Sequence, residues 1–319
     1  MDDITIRPYQ KGDEFSINRA YNEIFGLRRS IEEWYWKFGP KGESSRIMLA
    51  VDYNGNVLSN YSAVTVPMQI DGIQFLCAQS VDSYSVKNPG SLRNKIFIKT
   101  YDEYCMQYAG PNKIPYFYGC IGMRPLKLGK RAMNYTDPIP ITYLCSDETN
   151  FLLRPYGMLF GNIIWNLICS RHKNPDRDSV DDLWIRSSHR YRVSIIKDGG
   201  YITKSYLKNT ASKYICVPAY RDGTMSGLAV LYCLKRMIQW VDLLWDGRSP
   251  ETLSVLKEHA WNLTLATGSV KMEMWLCNDE EAQQILVELG MKTSRNPYDL
   301  YLSSRSFDEN LDAKDITSR

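Results

Sequence analysis

Residues 78–122 read AQSVDSYSVKNPGSLRNKIFIKTYDEYCMQYAGPNKIPYFYGCIG, and the order of elements in this segment is the most informative feature of the chain. Its hydrophobic spacing predicts a strand over 79–86, a turn over 87–90, a long helix over 91–108 and a second strand over 114–122. A turn that leads from a strand into a helix leaves the first backbone N–H groups of that helix without partners inside it. Those groups attract anions, so the start of this helix is a candidate phosphate-binding site.

Charged residues surround the predicted helix start. Lys87, Arg93 and Lys95 supply three cations there, and Asp82 lies on the strand that leads into the turn. Cationic side chains and free helix-start amides together suit the phosphate groups of a small molecule. A solvated basic helix start is the alternative interpretation.

The strand itself is polar on both faces. Strict alternation would place Ser80, Asp82 and Tyr84 on one face and Val81, Ser83 and Ser85 on the other. A central strand that is buried on both faces is normally almost continuous in apolar residues. This strand therefore favours a position at the wall of a cleft, with an ordinary edge strand as the alternative.

The composition limits the class of protein. The chain has 319 residues, of which 44% are hydrophobic and 24% charged, and its net charge is +3. This balance predicts a globular protein of about two domains without a basic field for nucleic acid. No apolar run is long enough to span a bilayer, and the first residues lack the pattern of a signal peptide.

The cysteines and histidines indicate a reducing compartment and no metal centre. Eight cysteines are scattered without a C-x-x-C pair, mostly in apolar runs, which predicts reduced core thiols in a cytoplasmic protein. The three histidines all lie in the second half of the chain, which argues against a His-rich metal site.

The two halves of the chain repeat one order of elements: a meander, a strand, a turn, a helix, a strand, a helix and a strand. Val81-Asp82 and Val241-Asp242 occupy matching places in this order. We therefore predict an α/β (α+β) protein with two similar domains, residues 1–146 and 147–319. Each is expected to hold a mixed, mostly antiparallel sheet flanked by helices, and the last strand is expected over 298–303.

The strand, turn, helix and strand of residues 79–122 resemble the acyl-CoA-binding centre of the GNAT superfamily of N-acyltransferases. The pyrophosphate loop of that family has the pattern Gln/Arg-x-x-Gly-x-Gly/Ala, whereas KNPGSLRNK, residues 87–95, keeps a single glycine. The resemblance in element order covers almost the whole chain. It implies that the first domain binds acyl-CoA and is catalytic, and that the second domain is degenerate.

The resemblance also implies where a coenzyme A thioester would lie. In GNAT proteins the two central strands splay apart, and the donor occupies the gap with its pantetheine arm on the strand backbone. The residues that this arrangement implies for the donor are Ser83, Tyr84, Ser85, Val86, Lys87, Arg93, Asn94 and Lys95.

Two residues are candidates for the chemistry. N-acyl transfer needs a group that accepts the proton of the amine, and a carboxylate in a cleft can do so, which makes Asp82 the candidate base. The alternative is that Asp82 pairs with a nearby cation, as buried carboxylates usually do. A tyrosine often protonates the leaving thiolate in GNAT proteins, and Tyr118 is the candidate here, with a core aromatic as the alternative.

Arg29, Trp36 and Arg124 are the candidates for an acceptor site. Trp34 and Trp36 stand two residues apart on a predicted helix over 31–38, so they cannot share a face, and one of them is expected in the core. An exposed tryptophan beside cations suits a nucleobase or sugar ring with a phosphate. Packing of the tryptophan against a neighbouring strand is the alternative.

The AQSVD strand and the RRSxExW helix make the chain similar to sugar N-acyltransferases that act on nucleotide-linked amino sugars for surface polysaccharides. The resemblance implies direct transfer of a short acyl group, acetyl or hydroxyacyl, from coenzyme A to the sugar amine. The alternatives are a Fem-like aminoacyl transferase that uses aminoacyl-tRNA, and an inactive module that binds acyl-CoA or a sugar nucleotide. No nucleic acid, membrane or metal partner is expected, and the sequence indicates no oligomeric state.

Overall fold

The computed structural model describes residues 4–39, 45–86, 92–146, 154–209, 212–234, 236–277, 279–309 and 311, with the side chains of 45, 92–94 and 154–159 excepted. The elements of the first half are β1 (Thr5–Pro8), α1 (Asp13–Phe25), α2 (Ile31–Phe38), β2 (Ser45–Val51), β3 (Val57–Ile70), β4 (Ile73–Ser85), α3 (Leu92–Tyr108), β5 (Tyr116–Gly122), α4 (Met123–Ala132) and β6 (Ile139–Pro140). Those of the second half are β7 (Thr142–Ser146), α5 (Arg154–Arg171), α6 (Arg177–Ser187), β8 (Val193–Ile195), α7 (Gly199–Ile202), β9 (Tyr214–Arg221), β10 (Thr224–Leu234), β11 (Met237–Trp245), α8 (Pro250–Ala266), β12 (Lys271–Leu276), α9 (Glu280–Glu288), β13 (Lys292–Ser294) and β14 (Leu300–Ser306).

The chain divides into two compact units. The first comprises residues 1–139 and 300–319, and the second comprises residues 140–299. Each unit is built on its own mixed sheet with flanking helices, which confirms the predicted fold class.

The sheet of the first unit has the order β1-β2-β3-β4-β5-β14. Its described neighbours are antiparallel except for β4 and β5, which run parallel. The long β3–β4 hairpin turns at Asp71 and Gly72, whose φ angles are 50° and 81°. Positive φ at both turn positions matches the right-handed twist of the strands, and Asp-Gly is a favoured pair there.

Helices cover both faces of this sheet. Ile47 and Leu49 on β2 pack with Trp34 and Phe38 of α2, whereas Met48 between them packs on the side of α3. Neighbouring residues of a strand point to opposite faces, so the two hydrophobic clusters lie on opposite sides of the sheet. Phe38 is fully buried, and burial of a phenylalanine side chain stabilises a fold by about 1.5–3 kcal/mol.

A capping box starts α2. The backbone N–H of Glu33 donates to Ser30 Oγ at 3.2 Å, and the backbone N–H of Ser30 donates to Glu33 Oε2 at 2.8 Å. Each bond satisfies one backbone donor that the helix start would otherwise leave unpaired. The box fixes where α2 begins, and therefore where its later residues point.

The sheet of the second unit has the order β13-β7-β12-β11-β10-β9. The β11–β12 pair is parallel, and the other described pairs are antiparallel. Helices α8 and α9 pack on one face through Leu253, Leu256, Ala260, Ala282 and Leu286. The two sheets thus share the plan of one parallel pair within an antiparallel array.

Two details of the predicted domain division differ from the structure. The second unit begins at Pro140 rather than after residue 146, because β7 pairs with β12 and β13 of the second sheet. The strand expected at 298–303 as the end of the second domain is β14, and it pairs with β5 of the first sheet from Leu300↔Gly122 to Ser306↔Tyr116. Strand pairing between distant segments is not encoded in local hydrophobic spacing, so element order alone misplaced both features.

Among the described residues, none of the helices combines the length and hydropathy that crossing a membrane requires. In the same part of the chain, no cluster of three or more His, Cys, Asp or Glu side chains is arranged to hold a metal ion.

Candidate active site

The parallel strands β4 and β5 separate after two described residue pairs. Ala78 pairs with Phe117 and Gln79 pairs with Tyr118, yet β4 continues to Ser85 and β5 continues to Gly122. Strand β5 stays paired with β14 over its whole length, so it is the edge facing β4 that opens. The sheet therefore has an opening at its centre, at the place where the GNAT resemblance implies a splayed pair.

A bulge in β4 lies beside this opening. Between the pairs Asn60↔Tyr84 and Ser62↔Val81 the register shifts, so that Asp82 and Ser83 together face one residue of β3. Asp82 has a φ of 51°, a left-handed conformation that is uncommon outside glycine and is tolerated best by Asp and Asn.

The bulge corrects the predicted faces of β4. Ser83 Oγ lies 3.5 Å from Ser80 Oγ, so these two serines share a face. The hydroxyl of Tyr84 donates to the Ile17 carbonyl of α1 at 2.9 Å, and Asp82 also points to the side of α1 and α2. Strict alternation is wrong here because the bulge inserts one extra residue, which shifts every later side chain.

Asp82 is buried and held by two cations. Its side chain is 7% exposed; one oxygen accepts from Arg29 Nη1, and the other accepts from Lys37 Nζ at 2.7 Å. The Asp82 carbonyl accepts from Asn60 Nδ2 at 3.0 Å. A buried carboxylate needs such partners because desolvation of an unpaired charge is costly.

Arg29 is fixed from several sides. Its Nε donates to Asn18 Oδ1 at 2.7 Å, its backbone N–H donates to Asn22 Oδ1 at 2.8 Å, and its guanidinium lies 3.8 Å from the centre of the Tyr21 ring. Burial raises the pKa of Tyr21, and the charge of Asp82 adds to this, so the ring under Arg29 is a neutral phenol. The Arg29 side chain is only 10% exposed, so it contacts Asp82 inside the protein rather than presenting its charge to solvent.

The other predicted donor residues fall in three groups. Ser83, Tyr84, Ser85 and Val86 are described and lie along β4 and its end, where Tyr84 and Ser85 are buried. Lys95 is exposed in the first turns of α3. Lys87 lies outside the described residues, as do the side chains of Arg93 and Asn94.

The remaining predicted site residues are spread over the first unit. Tyr118 is 9% exposed, at the last β4–β5 pair. Trp36 is 36% exposed whereas Trp34 is buried, which confirms that one tryptophan belongs to the core. Arg124 is exposed in the first turn of α4, and among the described residues it forms no ion pair with Asp82.

Four residues that support Arg29 and Asp82 were not predicted from the sequence: Asn18, Tyr21, Asn22 and Asn60. The sequence did contain a signal for Asn18 and Asn22. Asparagine is unfavourable inside a helix, so two asparagines four residues apart in α1 suggest a specific role. That role is the support of Arg29: both asparagines bind its backbone, and Asn18 also accepts a hydrogen bond from its guanidinium.

Comparisons with known proteins bear on the fold. No protein-family model matches the sequence, and no curated protein matches it significantly. Among solved structures, one similar chain is a conserved protein of unknown function from Enterococcus faecalis V583, described as a probable N-acyltransferase. It gives a TM-score of 0.62 at 9% identity, over 96% of this chain and 72% of that chain.

Two further structures carry the same fold. The N-myristoyltransferase of Saccharomyces cerevisiae with bound myristoyl-CoA gives a TM-score of 0.58 at 12% identity, over 95% of this chain and 82% of that chain. A GCN5-related glucosamine N-acetyltransferase region of a fungal multi-domain β-N-acetylglucosaminidase gives 0.59 at 11% identity, over 94% of this chain and 38% of that chain. The chain therefore has the fold of GCN5-related N-acyltransferases, as the resemblance in element order implies.

Proposed function

We propose that this protein transfers a short acyl group from coenzyme A to the amine of a nucleotide-linked amino sugar. The observation that carries the proposal is the opening between β4 and β5 beyond Gln79 and Tyr118. It lies in a fold that is shared with a structure holding bound myristoyl-CoA and with a glucosamine N-acetyltransferase region. The supply of such sugars to surface polysaccharides, in the cytoplasm, belongs to the same proposal.

The donor would lie along the edge of β4 that faces the opening. Strand backbone from Ser83 to Val86 would bond the extended pantetheine arm, much as a neighbouring strand would. The start of α3, with Lys95 and the predicted contributions of Lys87, Arg93 and Asn94, would hold the phosphates through N–H groups and cations. The exposure of Lys95 in the first turns of α3 supports this assignment.

The reaction would proceed by direct attack. The amine nitrogen bonds to the thioester carbonyl carbon, the tetrahedral intermediate collapses, and the C–S bond breaks with release of the coenzyme A thiolate. The nitrogen loses one proton to solvent water, and the thiolate gains one from a group of the protein, which then recovers a proton from the same solvent. Tyr118, near the mouth of the opening, is the proposed donor of that second proton.

The sequence predicts that Asp82 is the base. Its contacts bear on whether it could accept a proton or instead supports the site. Both of its oxygens already accept from cations, Arg29 and Lys37. A proton on Asp82 would leave these two cations facing a neutral acid in a buried site. The geometry therefore favours a supporting role, for which the second unit supplies further evidence.

The acceptor would bind beside α2. Trp36 and Lys37 are partly exposed neighbours on this helix, and Lys37 reaches Asp82 at the β4 bulge. A tryptophan face suits a sugar or nucleobase ring, and the lysine and Arg124 suit phosphate. Arg29 would act through the orientation of Asp82 and Lys37.

Replacement of Trp36 by alanine tests the acceptor site. We expect the KM for the acceptor to rise about 10-fold, which corresponds to about 1.4 kcal/mol, with the KM for the donor unchanged. Tyr53→Ala is the control, because Tyr53 is an aromatic residue that is 80% exposed in a turn. An unchanged acceptor KM in Trp36→Ala would remove α2 from the acceptor site.

The donor site is tested by calorimetric titration of the full-length protein with coenzyme A and acetyl-CoA. We expect micromolar binding that weakens about 10-fold in Lys95→Ala, because a phosphate loses a charged hydrogen bond. Lys99→Ala, which removes an exposed lysine one turn further along α3, should bind as the wild type does.

The titration, together with an assay for free thiol in the presence of a panel of amines, separates the candidate functions. Release of free thiol in the presence of a nucleotide-linked amino sugar would support the proposed transfer. Binding of coenzyme A without transfer to any amine of the panel would favour the inactive binding module. A folded protein that binds no coenzyme A would contradict the proposal and direct attention to the tRNA-dependent alternative.

A further inference from the structure

The second unit repeats the opening of the first. Strands β11 and β12 run parallel from Met237↔Lys271 to Trp240↔Met274, after which no described pair joins them, although β11 continues to Trp245. The register of β10 with β11 shifts between the pairs Val230↔Asp242 and Leu231↔Trp240. A bulge therefore stands beside this opening, as one does in β4.

Asp242 directly follows the extra residue of this bulge, Val241, and pairs with Val230, whereas Asp82 lies within the bulge of β4. Asp242 is 8% exposed, and its Oδ1 accepts from Lys197 Nζ at 2.6 Å. Its backbone carbonyl accepts from Trp240 Nε1 at 2.8 Å, where the Asp82 carbonyl accepts from Asn60. Each aspartate is thus held by a lysine at its carboxylate and by a side-chain N–H at its carbonyl.

The two pairs match in sequence as well. Lys37 precedes Asp82 by 45 residues, and Lys197 precedes Asp242 by 45 residues. The shared spacing and the shared lysine partner are joined by a third likeness, a bulge at or directly before the aspartate. Together they identify the pairs as corresponding features of the two units.

The remaining contacts distinguish the units. The second oxygen of Asp82 binds the guanidinium of Arg29, whereas that of Asp242 accepts from Tyr206 at 2.7 Å and Tyr201 at 3.2 Å. Positive φ occurs at Asp82 but not at Asp242 among the described residues. The two units share the contact between a lysine and an aspartate. They differ in the backbone conformation of the aspartate and in the partner of its second oxygen.

We propose that Lys37 and Lys197 are positioning residues that hold the aspartates at, or directly after, these bulges and so set where each strand pair opens. Asp82 then supports the left-handed backbone at the opening and takes no proton in catalysis. The physical reason is that a buried carboxylate between fixed donors restrains its own backbone, and strained φ persists only where surrounding contacts enforce it. For its catalytic consequence, this inference rests on the proposed acyl transfer.

Hydrogen exchange measured by mass spectrometry tests the pairs without reference to activity. In full-length Lys37→Met we expect faster exchange in peptides of β3 and β4, and in Lys197→Met faster exchange in peptides of β10 and β11, because strand pairing loosens beside each bulge. Lys127→Met and Lys208→Met are controls, since both lysines are exposed and form no ion pair within the described residues. Unchanged exchange in both test variants would overturn the inference, even for a protein without transferase activity.

Kinetics test the catalytic consequence. Lys37→Met is expected to lower kcat/KM by about 10- to 100-fold, and Lys37→Arg to restore it to within about threefold, because arginine can also bind the carboxylate. Asp82→Asn should lose activity to a similar extent while its residual activity keeps the wild-type pH profile, and Asp242→Asn should lose none.

The opposite kinetic pattern would show that Asp82 acts as the catalytic base. A large loss of kcat in Asp82→Asn, together with loss of the acid limb of the pH profile and full activity of Lys37→Met, would overturn the positioning role. Absence of activity in the wild type would contradict the proposed function alone, and the exchange measurements would still decide the role of the lysines.

Discussion

Replacement of Gly119 by valine is expected to abolish measurable coenzyme A binding while the protein stays folded. Gly119 follows the last β4–β5 pair, and a Cβ built at this position would lie 3.4 Å from both the Cβ and the carbonyl oxygen of Ser80. That contact is tolerable for alanine, but the two further methyl groups of valine have to enter the start of the opening. We expect at least ~100-fold weaker binding, about 2.7 kcal/mol, by calorimetry.

The control for this experiment lies on the same strand. A Cβ at Gly122 meets no atom within 4 Å, so Gly122→Val adds the same side chain without filling the opening. Circular dichroism of both variants establishes that they are folded. Coenzyme A binding by Gly119→Val at wild-type strength would mean that the donor does not occupy the gap between β4 and β5.

Replacement of Arg29 by methionine is expected to give the largest loss of stability among single changes at the site. The variant leaves Asp82 with one cation, removes the bond to Asn18 and ends the contact with the Tyr21 ring. Breaking a buried ion pair by removing one partner typically costs about 3–5 kcal/mol. We expect the free energy of unfolding, measured with urea, to fall by about that amount.

Arg28 supplies the comparison, because it is the exposed neighbour of Arg29 on the same chain segment. Arg28→Met should change the unfolding free energy by less than about 0.5 kcal/mol. Arg29→Lys should recover only part of the loss, since an ammonium cannot reach Asn18 and Asp82 with a planar fork. Equal stability of the two methionine variants would show that the Arg29–Asp82 contact contributes nothing to the fold.

Local pattern predicted the centre of the first sheet well. The helix expected at 91–108 is α3, Leu92–Tyr108, and the strands expected around it are the later part of β4 and β5. These elements follow from hydrophobic periodicity and from the turn residues between them, which act over a few residues. The same spacing predicted that one of Trp34 and Trp36 is in the core and the other is not, although it did not say which.

The bulge in β4 could not be predicted in this way. A one-residue insertion opposite β3 leaves no mark in the composition of the strand, yet it moves Asp82 to the side of α1 and α2. The contact of Asp82 with Lys37 spans 45 residues, beyond the reach of periodicity. The equal separation of Lys197 and Asp242 was readable in the sequence, but it became meaningful only once both lysines were seen at their aspartates.

The late position of β14 in the chain affects how the first sheet forms during translation. On the ribosome, residues 1–139 emerge long before residues 300–306, which complete their sheet. Until then β5 presents an unpaired edge, and such edges invite association with other chains. Loss of residues 300–306 would therefore damage the first unit, where the candidate active site lies, and a nascent chain would depend on protection of β5 until β14 has been made.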